Sequence, residues 1–313
     1  RANIYPYYII GDNMENYYTM IGSTSDEIDI VLNEIHDSYL SYPIKKRSGK
    51  YRWIDAPQEP LIELQRGILY NILYTFKTHE CCIGFTRNKS VTDGANAHLN
   101  SNVLLTMDLR NFFNTIKLRR VYDVINRIRI RLNSKGKHKI SRHAAQKIAA
   151  LLCYKGQLPQ GAPTSPAMAN LVAYPMDVEI QKYAKKHSLI YTRYADDLAF
   201  SHKDKTYNIG AHIKPIEEIV RKHKLHLNYK KTKIRRPHNR MSVTGIVVNE
   251  KLSVPRWKWR NFRAELHNLV KENQIISLEH YQQLRGYAEW IKTLHPKRGE
   301  GFLTQLSKIQ YAT

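Results

Sequence analysis

The sequence predicts an α+β fold, a small antiparallel sheet backed by helices, and three observations carry that prediction. Leu189-Ile190-Tyr191-Thr192-Arg193-Tyr194-Ala195-Asp196-Asp197-Leu198-Ala199-Phe200 reads as two short apolar strands joined at an acidic turn. Val103-Leu104-Leu105-Thr106-Met107-Asp108-Leu109 reads as a further strand that ends in a lone carboxylate. Long stretches elsewhere, such as Leu61 to Tyr74, carry apolar residues at helical spacing.

The elements follow in order. Residues 1–44 begin Tyr-rich and then give a helical stretch from Ser25 to Tyr39, with Ile28, Val31, Leu32 and Ile35 on one face. Ser25 is placed to cap it, and Tyr42-Pro43 to end it. Lys45 to Ile54 reads as a basic hairpin with Ser48-Gly49 at its turn. Leu61 to Tyr74 is an amphipathic helix. Leu118 to Leu152 contains two helices joined by the basic loop Asn133 to Lys139. Pro159, Pro163 and Pro166 break regular structure, and Ser165 is placed to cap a helix that starts at Pro166. Leu225 to Lys233 follows a helix rich in Ile and Val. Val243-Thr244-Gly245-Ile246-Val247-Val248 reads as a strand beginning at Gly245. After Pro255 the chain turns helical and basic.

Charge bounds the partners. The chain has 313 residues, with 50 Lys+Arg against 27 Asp+Glu and a formal charge of +23. An excess of that size calls for a polyanion, and nucleic acid is the obvious one. The basic loop at Asn133 to Lys139 is expected to face it. A membrane surface is the alternative, but no apolar run approaches the roughly 18 residues of a spanning helix. No charged-then-apolar leader is legible either, so a cytoplasmic protein is expected. The 21 tyrosines beside so many cations offer stacking faces next to phosphate contacts, although most are expected to pack the core. Cys81, Cys82 and Cys153 have neither bridge nor zinc spacing and read as buried, reduced thiols.

The acidic turn carries the chemistry. Two like charges about 4 Å apart at an effective dielectric near 20 repel by roughly 4 kcal/mol. A divalent cation removes that penalty, and hard oxygens on a rigid turn suit Mg²⁺. With Asp108 as a third ligand, two strand ends could converge on a pair of ions roughly 3.5–4 Å apart. That arrangement serves in-line attack on a phosphate. The alternatives are an ordinary exposed turn and a helix-capping Asp108.

Tyr194-Ala195-Asp196-Asp197, preceded by Met107-Asp108-Leu109 and by Leu158-Pro159-Gln160-Gly161-Ala162-Pro163-Thr164-Ser165-Pro166, resembles a reverse transcriptase, with the palm motifs in order and spacing. Val243-Thr244-Gly245 and the short length resemble the retron subgroup of this bacterial RNA-directed DNA polymerase family. The subgroup's Asn-Ala-x-x-His motif is matched by Gly94-Ala95-Asn96-Ala97-His98, with Gly in place of the leading Asn. The resemblance runs from about Lys45 to the C-terminus.

It implies a right-hand polymerase: an N-terminal helical extension at 1–44, fingers and palm at 45–250, and a helical thumb at 251–313. It implies catalysis by Asp108, Asp196 and Asp197, with Mg²⁺ bound by these and by Leu109. Lys50 and Arg52 on the fingers hairpin would hold the triphosphate. Gln160 would shape the nucleotide pocket, Phe113 would guard the sugar, and Lys231 would lie near the incoming nucleotide. His98, Tyr194, Gly245, Arg256, Lys258, Arg260 and Arg263 would contact nucleic acid. The implied partners are a cognate structured non-coding RNA, its DNA product, deoxynucleoside triphosphates and an effector protein in anti-phage defence. A group II intron-like enzyme and a non-catalytic RNA-binding scaffold of polymerase fold are the alternatives.

Overall fold

The computed structural model describes residues 17–46, 49–136 and 139–312. The Tyr-rich opening before Tyr17, Arg47-Ser48 of the basic hairpin and Lys137-His138 of the basic loop lie outside them. The chain forms two compact units. One comprises residues 1–79, 110–178 and 222–225, and the other 80–109, 179–221 and 226–313.

The first unit opens with α1 (Tyr17–Met20) and α2 (Ser25–Asn33). Thr24, not Ser25, caps α2: its hydroxyl accepts from the Glu27 N–H while Glu27 returns to the Thr24 N–H. This reciprocal pair satisfies two otherwise orphaned donors. The helix ends at Asn33, short of the predicted Tyr39, because the chain turns into β1 (Tyr39–Lys45), which pairs antiparallel with β2 (Tyr51–Pro57). Tyr42 and Pro43 therefore lie in a strand and do not terminate a helix. Helix α3 (Leu61–Asn71) follows. Its buried Gln65 donates to the Tyr39 hydroxyl at 3.0 Å and the Leu151 carbonyl at 2.8 Å. One amide thereby ties the hairpin to a distant helix.

Two elements then belong to the second unit: α4 (Val91–Ala97) and β3 (Val103–Asp108). The first unit resumes with α5 (Phe112–Thr115), α6 (Leu118–Asn133) and α7 (Arg142–Leu151). The two predicted helices are present. Helix α8 (Ser165–Lys186) begins one residue before Pro166. Ser165 does not cap it, since its buried hydroxyl has no hydrogen-bond partner.

The second unit continues with β4 (Ile190–Tyr194), β5 (Asp197–His202), α9 (Ile213–Lys222) and β6 (Lys233–Arg235). These strands and β3 make an antiparallel sheet in the order β4-β5-β3-β6. Strand β3 is buried along almost its whole length, which explains its unbroken apolar run. Next come β7 (Ser242–Val243) and β8 (Ile246–Val247). The predicted single strand over Val243–Val248 is instead a hairpin, because Thr244 and Gly245 both take positive φ, 49° and 87°. That pair of dihedrals makes a tight two-residue turn.

The chain closes with α10 (Arg256–Lys271), β9 (Ile276–Ser277), α11 (Leu278–Leu294), α12 (Pro296–Leu306) and β10 (Tyr311–Ala312). Phe262, Leu266, Leu284, Ile291 and Phe302 form the core of this helical end. A second cluster, with Leu104, Met241, Val243 and Val248, packs the sheet against β7 and β8. No helix among the described residues is long and apolar enough to cross a membrane. All three cysteines are buried and unbridged.

Candidate active site

The β4–β5 hairpin presents its acidic turn as the sequence predicts. Ala195 turns the chain with φ 51°, and Asp196 follows at the tip. Asp197 opens β5 and pairs across the sheet with Asp108, the last residue of β3. The Leu109 N–H donates to the Asp196 carbonyl at 2.8 Å, which locks the two strand ends together. The adjacent Asp196 and Asp197 thus meet Asp108, 88 residues earlier, at one end of the two central strands. The Leu109 side chain is buried, so only its main chain could reach an ion.

Charge crowding leaves a signature. Asp197 keeps exposed surface, yet enough of its carboxyl is enclosed to push its pKa up to about 6. Burial is the first cause, and Asp196 and Asp108 add to it while Lys231 opposes them. Asp108 is almost fully enclosed and accepts from Lys231 Nζ at 2.6 Å and from Asn228 Nδ2 at 3.2 Å. That hydrogen bond to Asp108 holds the Lys231 ammonium above its ordinary pKa. Among the described residues no three His, Cys, Asp or Glu side chains are already arranged as ligands of one ion. Lys231 is the cation on Asp108 here. The donor set itself is all hard carboxylate oxygen with excess negative charge, which fits a hard divalent cation.

Sequence reasoning missed Arg193 and Asn228. Arg193 is fully buried, and its guanidinium donates to the Ala195 carbonyl at 3.1 Å and to Cys82 Sγ at 3.3 Å. It braces the acidic turn from beneath. An Arg inside an otherwise apolar strand was the available signal. Asn228 also donates its backbone N–H to the Asp108 carbonyl at 2.8 Å, but nothing in its local sequence marks it.

His98 requires correction. It is wholly buried, with Nδ1 2.7 Å from Ser201 Oγ and Nε2 2.7 Å from Thr192 Oγ1. Its side chain does not face nucleic acid. It cross-links β4 and β5 behind the acidic turn. Burial lowers its pKa to about 4, so the folded state keeps it neutral while the unfolded chain takes a proton below about 6.5. Stability should therefore be complete above pH 6.5 and fall by about 3 kcal/mol towards pH 4 from this group alone. Thermal denaturation of wild type and His98→Gln across that range checks this, the variant losing the His-linked part of the slope.

A cavity of about 550 Å³ runs from Asp108 and Asp197 past Lys231, Lys233, Arg235 and Arg240 to the Thr244–Gly245 turn. Tyr194 also lines it, and its ring lies 5.6 Å from that of Phe85. On α10, Arg256, Arg260 and Arg263 are exposed at i, i+4 and i+7, which places them on one face. Lys258 lies over the Trp257 ring at 5.8 Å.

The remaining predicted residues belong to the first unit. Lys50 and Arg52 are exposed, and Arg52 lies on β2. The Gln160 carbonyl accepts from the Asp55 N–H at 2.7 Å, which docks the proline-rich loop against the same hairpin. Gly161 makes this possible: at φ 138°, any Cβ there would lie 2.6 Å from the Asp55 carbonyl oxygen. Phe112 is buried and Phe113 half-buried, their rings 5.5 Å apart.

Comparison with known proteins agrees with this geometry. Residues 44–248 match the family "Reverse transcriptase (RNA-dependent DNA polymerase)". The chain is 32% identical over 310 residues to the Retron Ec86 reverse transcriptase of Escherichia coli, covering 95% of this chain and 90% of that one. It is 32% identical over 295 residues to the Retron Mx162 reverse transcriptase of Myxococcus xanthus, covering 87% of this chain and 61% of that protein. Among solved structures, apo telomerase from Candida tropicalis superposes with a TM-score of 0.50 at 15% identity, over 88% of this chain and 58% of the telomerase. That likeness speaks to the polymerase fold. The matched family segment and the retron relatives speak to the activity: this chain belongs to the reverse transcriptases, and among them to the retron-type RNA-directed DNA polymerases.

Proposed function

We propose that the enzyme primes DNA synthesis from a 2′-hydroxyl of a cognate structured non-coding RNA and leaves a branched RNA–DNA hybrid bound to itself. The observation that carries this is the meeting of Asp108, Asp196 and Asp197 at one end of the two central strands, in a chain similar to retron enzymes along 95% of its length.

Reverse transcriptases use divalent metal ions, and Mg²⁺ is our assignment here, held by the three aspartates and the Leu109 main chain. Bound there, it would supply Lewis-acid activation of the attacking hydroxyl and neutralise charge on the leaving pyrophosphate. The chain's own residues do the rest. Asn228 holds the Asp108 carboxylate, and Arg193 braces the turn that carries Asp196 and Asp197 through the Ala195 carbonyl. With a cation held by Asp108, Lys231 would no longer be needed as its counter-charge, and its ammonium would be available to the polyanionic nucleotide. We assign Lys50 and Arg52 to the triphosphate, whose developing negative charge fixed cations stabilise, Gln160 to the nucleotide pocket and Phe113 to the sugar. Tyr194, Gly245, Arg256, Lys258, Arg260 and Arg263 are assigned to nucleic acid. In this reading 45–250 act as fingers and palm, 251–313 as thumb, and 1–44 as an extension. The enzyme is cytoplasmic, and an effector protein in anti-phage defence completes the set of partners.

The test is to express the protein with its native flanking RNA and extract the nucleic acid that copurifies. A DNA whose mobility changes on RNase treatment, and that carries a 2′-linked branch, is the expected product. Unbranched DNA primed from a 3′ end would contradict it. Separately, Phe113→Ala should raise ribonucleotide use relative to deoxyribonucleotide by about 10- to 100-fold, since the ring would exclude the 2′-hydroxyl by contact. Primer extension with each nucleotide type measures this, and an unchanged ratio would place the gate elsewhere.

A further inference from the structure

The second unit contains another concavity, of about 450 Å³, which adjoins the catalytic cavity and shares Arg240 with it. It lies among the 237–240 segment, the chain between Val247 and Val254, and helices α10 and α12. His238, Arg240, Arg256 and Arg298 gather there around Trp259.

The site is built, not incidental. Asn249 accepts from the Met241 N–H at 2.9 Å and donates to the Pro237 and Asn239 carbonyls at 3.1 and 3.0 Å, which fixes the loop that presents His238 and Arg240. Val247 and Ser253 exchange two backbone hydrogen bonds behind it, at 2.7 and 3.1 Å. Trp259 packs on the helical core, and the Arg298 guanidinium lies 4.4 Å from its ring centroid, with Arg263 at 5.8 Å. Among the described residues, none of Arg240, Arg256 and Arg298 forms an ion pair with a carboxylate. The cationic field is felt nearby: His295 has a lowered pKa, first from burial and then from Arg298 and Lys251.

Three exposed guanidiniums, none of them in an ion pair among the described residues, line one hollow, and Arg298 is packed on Trp259. A phosphodiester supplies the missing anion, which the guanidinium fork grips bidentately. The stacked Arg298–Trp259 pair adds planar surface of the kind on which an unpaired base lies. The volume falls in the range of pockets for small ligands, and the hollow is widely open to solvent, so a strand can pass over it and lay one nucleotide in it.

We propose that this concavity holds one unpaired, phosphodiester-linked nucleotide of an RNA strand, with Arg240 and Arg298 on the phosphate and the base stacked beside Trp259. It would anchor RNA beside the catalytic cavity, on the far side of Arg240, which lines both. The reading as an RNA-directed polymerase supplies only the expectation of an RNA partner.

The test is fluorescence anisotropy with labelled octariboadenylate, while an unlabelled RNA–DNA hybrid saturates the catalytic cavity. Wild type should bind the octamer, and Arg298→Gln and Trp259→Leu should each weaken it by about tenfold, with hybrid affinity changed less than twofold. Arg298 is exposed, so Arg298→Gln reads the site even if Trp259→Leu disturbs the fold. AMP alone at equal nucleotide concentration should compete poorly. Octamer binding unchanged in Arg298→Gln, an equal loss for octamer and hybrid, or full competition by AMP would each overturn the proposal. Extension of oligo(dT) on poly(rA) is read separately. Its failure in wild type would speak against the catalytic assignment and would leave the octamer comparison standing.

Discussion

Replacing Asp196 with Asn should reduce DNA synthesis on a primed RNA template by about 10³-fold or more, while RNA affinity changes little. The β4–β5 turn holds two carboxylates, and the end of β3, joined to it by the Leu109–Asp196 backbone bond, holds the third. Removing one charge weakens the cation site, and loss of a single preorganised electrostatic group typically costs about 10²–10³-fold in rate. A metal ligand is worth at least that, because it also positions the attacking oxygen. The fold should survive, since Asn is nearly isosteric and Asp196 is a half-buried turn residue outside the strands. RNA binding should persist because the cations of Lys233, Arg235 and the α10 face are untouched. Equal loss of binding and synthesis would reassign Asp196 to a structural role. Undiminished synthesis would remove it from the metal site.

The second large effect is on salt dependence. On the proposed function, Arg256, Lys258, Arg260 and Arg263 on α10, with Lys233 and Arg235 in the catalytic cavity, would supply six cations to phosphate. A protein neutralising six or more phosphates loses about 10³-fold or more in affinity between 50 and 200 mM salt. Equilibrium RNA binding across that range should give a steep linear log–log plot, and Arg260→Gln should reduce its slope by about one contact. A flat response would mean that the +23 charge serves something other than the strand backbone.

Much of this architecture was legible in the residues, for reasons that differ between elements. Strands β3, β4 and β5 were readable because their apolar runs are short and stop at carboxylates. Helices α3, α6 and α7 were readable because 3.6-residue periodicity survives in any surface helix. The hairpin at Thr244–Gly245 was misread as one strand. Its turn depends on Thr244 adopting a positive φ, which no propensity favours. The cap of α2 was misplaced by one residue, because Thr24 and Ser25 are both good caps and only Glu27 three residues after Thr24 distinguishes them.

Site residues divide the same way. Asp196 and Asp197 announce themselves, because adjacent like charges in a tight turn need a reason, whereas Asp108 alone reads equally as a helix cap and gains its meaning from the pair. His98 was misassigned because sequence spacing gives order along the chain and says nothing about depth. Its hydroxyl partners come from strands about a hundred residues away. Asn228 escaped notice for a similar reason, since its role comes from the bridge between Leu109 and Leu227 that brings it beside Asp108.

Everything rests on Asp108, Asp196 and Asp197 sharing a divalent cation that displaces Lys231. The most direct measurement is a crystal structure with Mn²⁺ and a non-hydrolysable deoxynucleoside triphosphate, read by anomalous scattering. A peak within coordination distance of all three carboxylates, with the Lys231 ammonium moved off Asp108, is the predicted result. Manganese bound elsewhere, with the Lys231–Asp108 pair intact, would contradict the account.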